Sequence, residues 1–155
     1  MKSLVIYCST YKNHTEKIAL LFAKKMNADI INLKKNKDIV IDNYDLIGFG
    51  SGVYKESMAP QIFSCVDRLD LKNKDVFVFS TSGAGMKFYN KKLIKQLENK
   101  GACCKGSFTC KGSFDSTVFS KNKIFEFMSR FALGHPNDKD FKKAEEFIER
   151  VMRIK

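Results

Sequence analysis

The sequence predicts a single α/β domain, residues 1–155, built on a parallel sheet of five strands with helices on both faces. Two observations carry the prediction. Short apolar runs alternate with stretches of helical spacing, and turn residues introduce or close each run. The runs are also apolar on both sides, as the strands of a covered parallel sheet must be. A chain of 155 residues supplies one domain and buries roughly 70% of its unfolded surface.

In chain order, Leu4–Tyr7 reads as the first strand and Ile18, Leu21 and Phe22 as the apolar stripe of the helix that follows. Ile30–Leu33 is the second strand. Only Lys34 to Asn43 separate it from the third, Leu46–Phe49, so that link has room for a single helical turn. Ile62, Cys65, Val66 and Leu69 mark the next helix, which Pro60 opens at a first helical position. Val76–Phe79 is the fourth strand. Tyr89, Leu93 and Leu97 form a helix closed by Gly101, and Ala102–Phe108 is the fifth strand. The last helix starts near Lys139 and turns Phe141, Ala144, Ile148 and Val151 inward. Between them, Lys111 to Asp138 carries Phe114, Phe119, Phe125, Phe127 and Phe131; Ile124, Phe127, Met128 and Phe131 fit a short amphipathic helix, and the segment reads as an insertion over the end of the sheet.

Composition narrows the class. The longest apolar run, Ile18–Ala23, is far short of the ~20 residues that span a bilayer, and the start MKSLVIYCSTYKN lacks a small-residue cleavage site, so the expectation is a cytoplasmic protein without membrane insertion. Cys8, Cys65, Cys103, Cys104 and Cys110 are odd in number and contain no CxxC pair, which fits reduced thiols and no metal site. The net charge of +11 attracts acidic partners, but 24 lysines against 4 arginines, with abundant Asn and Ile, resembles coding bias more than selected phosphate forks. Lysines are scattered rather than interleaved with aromatics on one face, so nucleic acid is not expected as a partner.

Ligands of open α/β sheets sit beyond the carboxyl ends of the strands. The first such exit is Ser9-Thr10-Tyr11-Lys12-Asn13-His14-Thr15, rich in donors and running into a helix N-terminus, where backbone N–H groups and the helix dipole favour an anion. A plainer alternative is that Asn13 or Thr15 caps the helix. The third exit, Gly48-Phe49-Gly50-Ser51-Gly52-Val53-Tyr54, offers close backbone approach and an aromatic. The fourth, Ser80-Thr81-Ser82-Gly83-Ala84-Gly85, offers small residues and free backbone groups. Together they describe a site for a phosphorylated, planar ligand.

The exits STYKNHTEKIA, DLIGFGSGVY and VFVFSTSG, in this order and at these separations, resemble flavodoxin-like proteins over nearly the whole chain. Cys110-Lys111-Gly112 and His135-Pro136-Asn137-Asp138 are similar to a short-chain branch from anaerobic bacteria and archaea. The resemblance implies a doubly wound sheet of strand order 2-1-3-4-5 that binds FMN noncovalently. It puts the phosphate on Ser9, Thr10, Tyr11, Lys12, Asn13, His14 and Thr15. The ring is implied between Ser51, Gly52, Val53 and Tyr54 on one side and Thr81, Ser82, Gly83, Ala84 and Gly85 on the other. Tyr54 is the expected stacking residue, and a peptide at Gly52 or Gly50 the expected neighbour of the flavin N5–H. No catalytic residue and no metal are required, because the cofactor carries the chemistry.

The function implied is an electron carrier between cytoplasmic redox proteins, whose partners need an acidic face. An NAD(P)H:quinone or protoporphyrinogen-type oxidoreductase is the alternative within the flavin class. A third reading is a low-molecular-weight phosphatase: Cys8, five intervening residues, His14 and Thr15 mimic its Cys-x5-Arg-Ser/Thr loop. His14, however, lacks the guanidinium fork that phosphoryl transfer uses.

Overall fold

In the computed structural model, residues 1–9, 14–112 and 136–154 are described. Thr10 to Asn13, the aromatic insertion from Ser113 onward and His135 lie outside them. The elements run β1 (Ser3–Cys8), α1 (His14–Met26), β2 (Asp29–Asn32), β3 (Leu46–Tyr54), β4 (Ser57–Met58), α2 (Pro60–Arg68), β5 (Asp75–Ser82), a 3-10 turn (Lys87–Asn90), α3 (Lys91–Asn99), β6 (Cys103–Lys111) and α4 (Asp138–Arg153).

The sheet order is β2-β1-β3-β5-β6, all parallel. This is the expected doubly wound order once the short β4, which pairs antiparallel with the end of β3, is set aside. The expected strand ends are corrected at three places. β3 runs on to Tyr54, β5 to Ser82 and β6 to Lys111, each several residues past its expected end at Phe49, Phe79 or Phe108. Polar and glycine residues stay in a ladder where a neighbouring strand supplies backbone partners: β1 and β5 do so for β3 up to Ser51 and Gly52, β4 for Val53 and Tyr54, and β5 and β6 for each other up to Ser82 and Lys111.

Two apolar layers sandwich the sheet. One packs α2 and α3 against Leu4, Ile6, Ile47, Phe49, Val76 and Val78. The link between β2 and β3 opens on a turn in which the Asn36 N–H donates to the Asn32 carbonyl at 3.1 Å, the spacing of one helical turn, and closes on a second in which the Tyr44 N–H donates to the Ile41 carbonyl at 3.0 Å. The expected single helical turn is thus present at the start of the link, and Leu33 within it and Ile41 beyond it are buried in this layer.

The other layer packs α1 and α4 against Val5, Tyr7, Phe77, Phe79 and Phe108. Phe22 of α1 is its hub: ring centroids of Phe79, Phe77, Phe108 and Phe147 lie 5.1, 5.6, 5.8 and 5.8 Å away, the first three edge-on. Gly48 and Gly50 make this cluster possible. A Cβ on Gly48 would stand 2.2 Å from Phe77 Cζ, and one on Gly50 2.1 Å from Phe79 Cζ. The expectation that these glycines admit a ligand is therefore corrected. They lie inside β3 and admit the neighbouring strand's rings.

Helix ends follow the sequence signals. Pro60 opens α2, Gly101 at φ +86° closes α3, and Asn137 and Asp140 form a reciprocal capping box on α4. No helix among the described residues is long and apolar enough to cross a membrane.

Candidate functional site at the carboxyl edge of the sheet

Parallel strands deliver β1, β3, β5 and β6 to one edge, and the first turn of α1 stands over it. Thr15 is buried there, and its Oγ1 lies 2.8 Å from Thr81 Oγ1. That hydroxyl pair ties the start of α1 to the end of β5. Gly112, just past β6, backs onto His14: a Cβ at that position would be 3.2 Å from His14 Cβ and 3.3 Å from its ring. The Gly112 N–H also donates to the Ser82 carbonyl at 3.0 Å. Three strand ends thus converge on the N-terminus of α1.

Ser9 directly follows β1 at the same edge of the sheet. It is 3% exposed, and its Oγ has no hydrogen-bond partner among the described residues. A buried hydroxyl left without a partner costs about 1–3 kcal/mol, so such a group is a donor waiting for an acceptor. Alongside, the Tyr7 phenol is pushed up to about 12, first by burial and then by its hydrogen bond to Glu16 of α1. It remains a neutral hydroxyl throughout the physiological range.

At the end of β3, Gly52 pairs with Thr81 and Gly50 pairs with both Tyr7 and Phe79. The Gly50 peptide is held in ladders on both sides, which rules out the expected free peptide there. Gly52 has a different use. A Cβ on it would meet Tyr54 Oη at 2.5 Å and Cζ at 2.8 Å, so the half-buried Tyr54 ring folds back over the bare Gly52 backbone. The Ser51 hydroxyl is committed within the protein, donating to the Gly52 carbonyl at 2.6 Å and accepting from the Ala59 N–H at 2.9 Å. It anchors the start of α2. Val53 is half-buried and packs against the α2/α3 layer.

The residues after Tyr54 escaped sequence reasoning. Lys55 and Glu56 have φ of 48° and 68° and form a two-residue hairpin turn between Tyr54 and Ser57. Both central residues of such a turn need positive φ, and Asn-Gly is its usual signal. A Lys-Glu pair carries none. Each residue held there costs about 1–2 kcal/mol of backbone strain, at the rim beside Tyr54.

Across the cleft, Thr81 and Ser82 are the last residues of β5. The Gly85 N–H donates to Ser82 Oγ at 2.7 Å and Gly85 sits at φ 63°, which folds the half-buried Gly83 and Ala84 into a tight loop facing β6. Asn90, fully buried, holds the far end of this connection by donating to Ser107 Oγ at 2.8 Å and the Phe108 carbonyl at 3.1 Å. Nothing in the local sequence distinguishes it from a surface turn residue.

Of the expected site residues, the structure thus brings Ser9, His14, Thr15, Thr81 and Ser82 to one edge, with Tyr54 and Gly85 on the adjoining loops. Thr10, Tyr11, Lys12 and Asn13 lie outside the described residues. Cys8 is fully buried in the α2/α3 layer, and burial pushes its thiol up. A phosphatase nucleophile needs an accessible thiolate, which this position withholds.

Comparison with known proteins agrees with this geometry. A flavodoxin domain family model matches residues 4–149. The uncharacterised protein MJ0298 of Methanocaldococcus jannaschii is 39% identical over 155 residues, covering 99% of each chain. Among solved structures, oxidised flavodoxin 1 from Bacillus cereus superposes with a TM-score of 0.69 at 17% identity, over 99% of this chain and all of that one. A flavoprotein in complex with FMN from Lactobacillus acidophilus gives 0.56 at 21% identity, over 68% of this chain and 91% of that one. The match of the family model over residues 4–149 makes the chain a member of the flavodoxin domain family.

Proposed function

We propose that this protein binds FMN noncovalently at the carboxyl edge and serves as an electron carrier between other redox proteins. The observation that carries the reading is the buried Ser9 hydroxyl, without a partner among the described residues, directly after the carboxyl end of β1. A phosphate supplies the acceptor that this donor lacks, in the field of the helix dipole. The fit extends to the rest of the cleft. Tyr54 offers an aromatic face and the Gly83–Gly85 loop offers backbone without bulk, while the Lys55–Glu56 turn holds peptide groups beside the ring. Membership of the flavodoxin domain family, and the FMN complex of the Lactobacillus relative, support the choice of flavin.

When bound, FMN supplies reversible one- and two-electron transfer. The chain's own residues bind and shield. Ser9 and Thr15 orient the phosphate end, with Thr81 fixing Thr15. Tyr54 covers one side of the planar group and keeps water from it. The lysine-rich surface favours a negative charge on the ligand, which raises the potential relative to an acidic scaffold of equal loop geometry, an effect that salt reduces. Replacing Ser9 by Ala tests the reading. Its expected signature is weaker binding of FMN with little change toward riboflavin, which lacks the phosphate; equal loss for both ligands, or none for either, counts against Ser9 as a phosphate donor.

A further inference from the structure

We propose that the face formed by Met86, Phe88, the Lys55–Glu56 turn and the adjoining groove between α2 and α3 is the docking surface for an acidic electron-transfer protein. The proposal rests on the flavin reading above and names the chemistry of its partner. Phe88 and Met86 are 57% and 49% exposed, two residues apart, at the carboxyl edge. The other exposed large apolar residues, such as Leu20, Ile30 and Val40, are scattered over other elements. Phe88 has only a tilted contact with Tyr89, at 5.1 Å, among the described rings.

The 3-10 turn that carries Phe88 packs on β4, and Met58 of β4 lines a groove of about 550 Å³ with Pro60, Phe63, Asp67, Lys92 and Gln96. The turn that carries the exposed pair thus adjoins the strand that lines one side of the groove. The charge of this face is cationic: Lys55, Lys87, Lys91 and Lys92 stand against Glu56 and Asp67. Asp67 is engaged by the Gln96 amide at 2.7 Å, and Lys92 lies 4.9 Å over the Phe63 ring. Lys55, Lys87 and Lys91 form no ion pair among the described residues. An aromatic anchor with a cationic rim is the anatomy of a protein interface, in which the apolar centre gives affinity and the rim steers approach. A second copy would bring the same lysines against these, which costs rather than gains. An acidic protein is the occupant that both the charge and the apolar centre fit.

The test uses the FMN-loaded full chain and one haem carrier in two charge forms, native basic cytochrome c and its succinylated acidic form. The visible spectrum of the loaded protein is read first. The protein is then reduced stoichiometrically with dithionite and mixed anaerobically with each ferric cytochrome, whose haem takes one electron. The expected result is that the acidic form reacts about tenfold faster at low ionic strength and that the two forms converge in high salt. Phe88→Ser, and the pair Lys87→Glu with Lys91→Glu, each slow the acidic form several-fold. Lys24→Glu with Lys72→Glu, the same charge change at the opposite end of the sheet, leaves most of the rate, and reduction by dithionite is alike in all variants.

Equal slowing by the control pair assigns the effect to the net charge of +11 and overturns the proposal. So does a Phe88→Ser rate equal to the parent's, or self-association in sedimentation that Phe88→Ser abolishes, which makes the occupant a second copy. A protein that takes up no flavin fails at the spectrum and removes both readings. A flavin-loaded protein whose rates ignore this face removes only the docking surface.

Discussion

Gly50→Ala is expected to destabilise the protein even though the substitution ordinarily helps a strand. Alanine in place of glycine inside a strand gains roughly 0.5–1 kcal/mol from lost chain entropy. Here the new Cβ would lie 2.1 Å from Phe79 Cζ, whereas carbon contacts settle at about 3.5 Å, so the ring must retreat by about 1.4 Å. It has little room: Phe22 stands edge-on at 5.1 Å and Phe77 is stacked at 6.1 Å, all three rings fully buried. Overpacking of this kind costs about 1–3 kcal/mol. The net expectation is a loss of about 1–2 kcal/mol, read as a lower urea midpoint at an unchanged m-value. Phe79→Leu frees the space, so Gly50→Ala made in that background should cost less than half as much. A stability within about 0.5 kcal/mol of the parent would refute the steric account, as would an equal cost in both backgrounds.

Other perturbations reach separate parts of the structure. Thr15→Val removes one hydroxyl of the buried Thr15–Thr81 pair, and a loss of about 1–2 kcal/mol in urea unfolding is expected, with Thr15→Val/Thr81→Val costing less than the sum of the singles. Asn137→Ala breaks the capping box of α4 and should lower stability by about 1 kcal/mol, checked by the same titration. Burial pushes the Cys65 thiol up to about 11 and the Cys110 thiol up to about 12. Well below pH 9, the range in which a free thiol ionises, both are neutral in either state and their contribution is fully present. Above it the unfolded chain releases protons that the folded chain retains, and stability should fall by about 1.4 kcal/mol per pH unit per thiol until the folded values are passed. Cys65→Ala/Cys110→Ala should flatten that slope between pH 9 and 10.5. Exposed Cys103 should react with a thiol reagent in the native state, while Cys8, Cys65 and Cys110 react only on unfolding.

The helices and their inward faces were legible in the sequence because a stripe at spacings of three and four has one physical meaning: Ile18 and Phe22, Ile62 and Val66, Leu93 and Leu97, and Ala144 and Ile148 are all buried. The gathering of the expected strand exits at one edge was legible too, since parallel topology leaves them no other. The glycines were not. Gly48-Phe49-Gly50 reads as a turn when taken alone, and its meaning appears only when Phe77-Val78-Phe79 is laid beside it in register. Position-matched Gly-x-Gly and Phe-x-Phe on adjacent strands is the signal that could have been found. The Thr15–Thr81 pair and the role of Asn90 depend on contacts between residues far apart in sequence, and the Lys55–Glu56 turn uses residues that carry no preference for its backbone geometry.

Titration of the flavin-free protein with FMN, followed by visible absorption and flavin fluorescence, tests the central claim most directly. The account predicts saturation at one FMN per chain, a shifted flavin band and quenched fluorescence, with riboflavin binding more weakly because it brings no phosphate to Ser9. Free-flavin spectra that persist unchanged as protein is added in excess would contradict it.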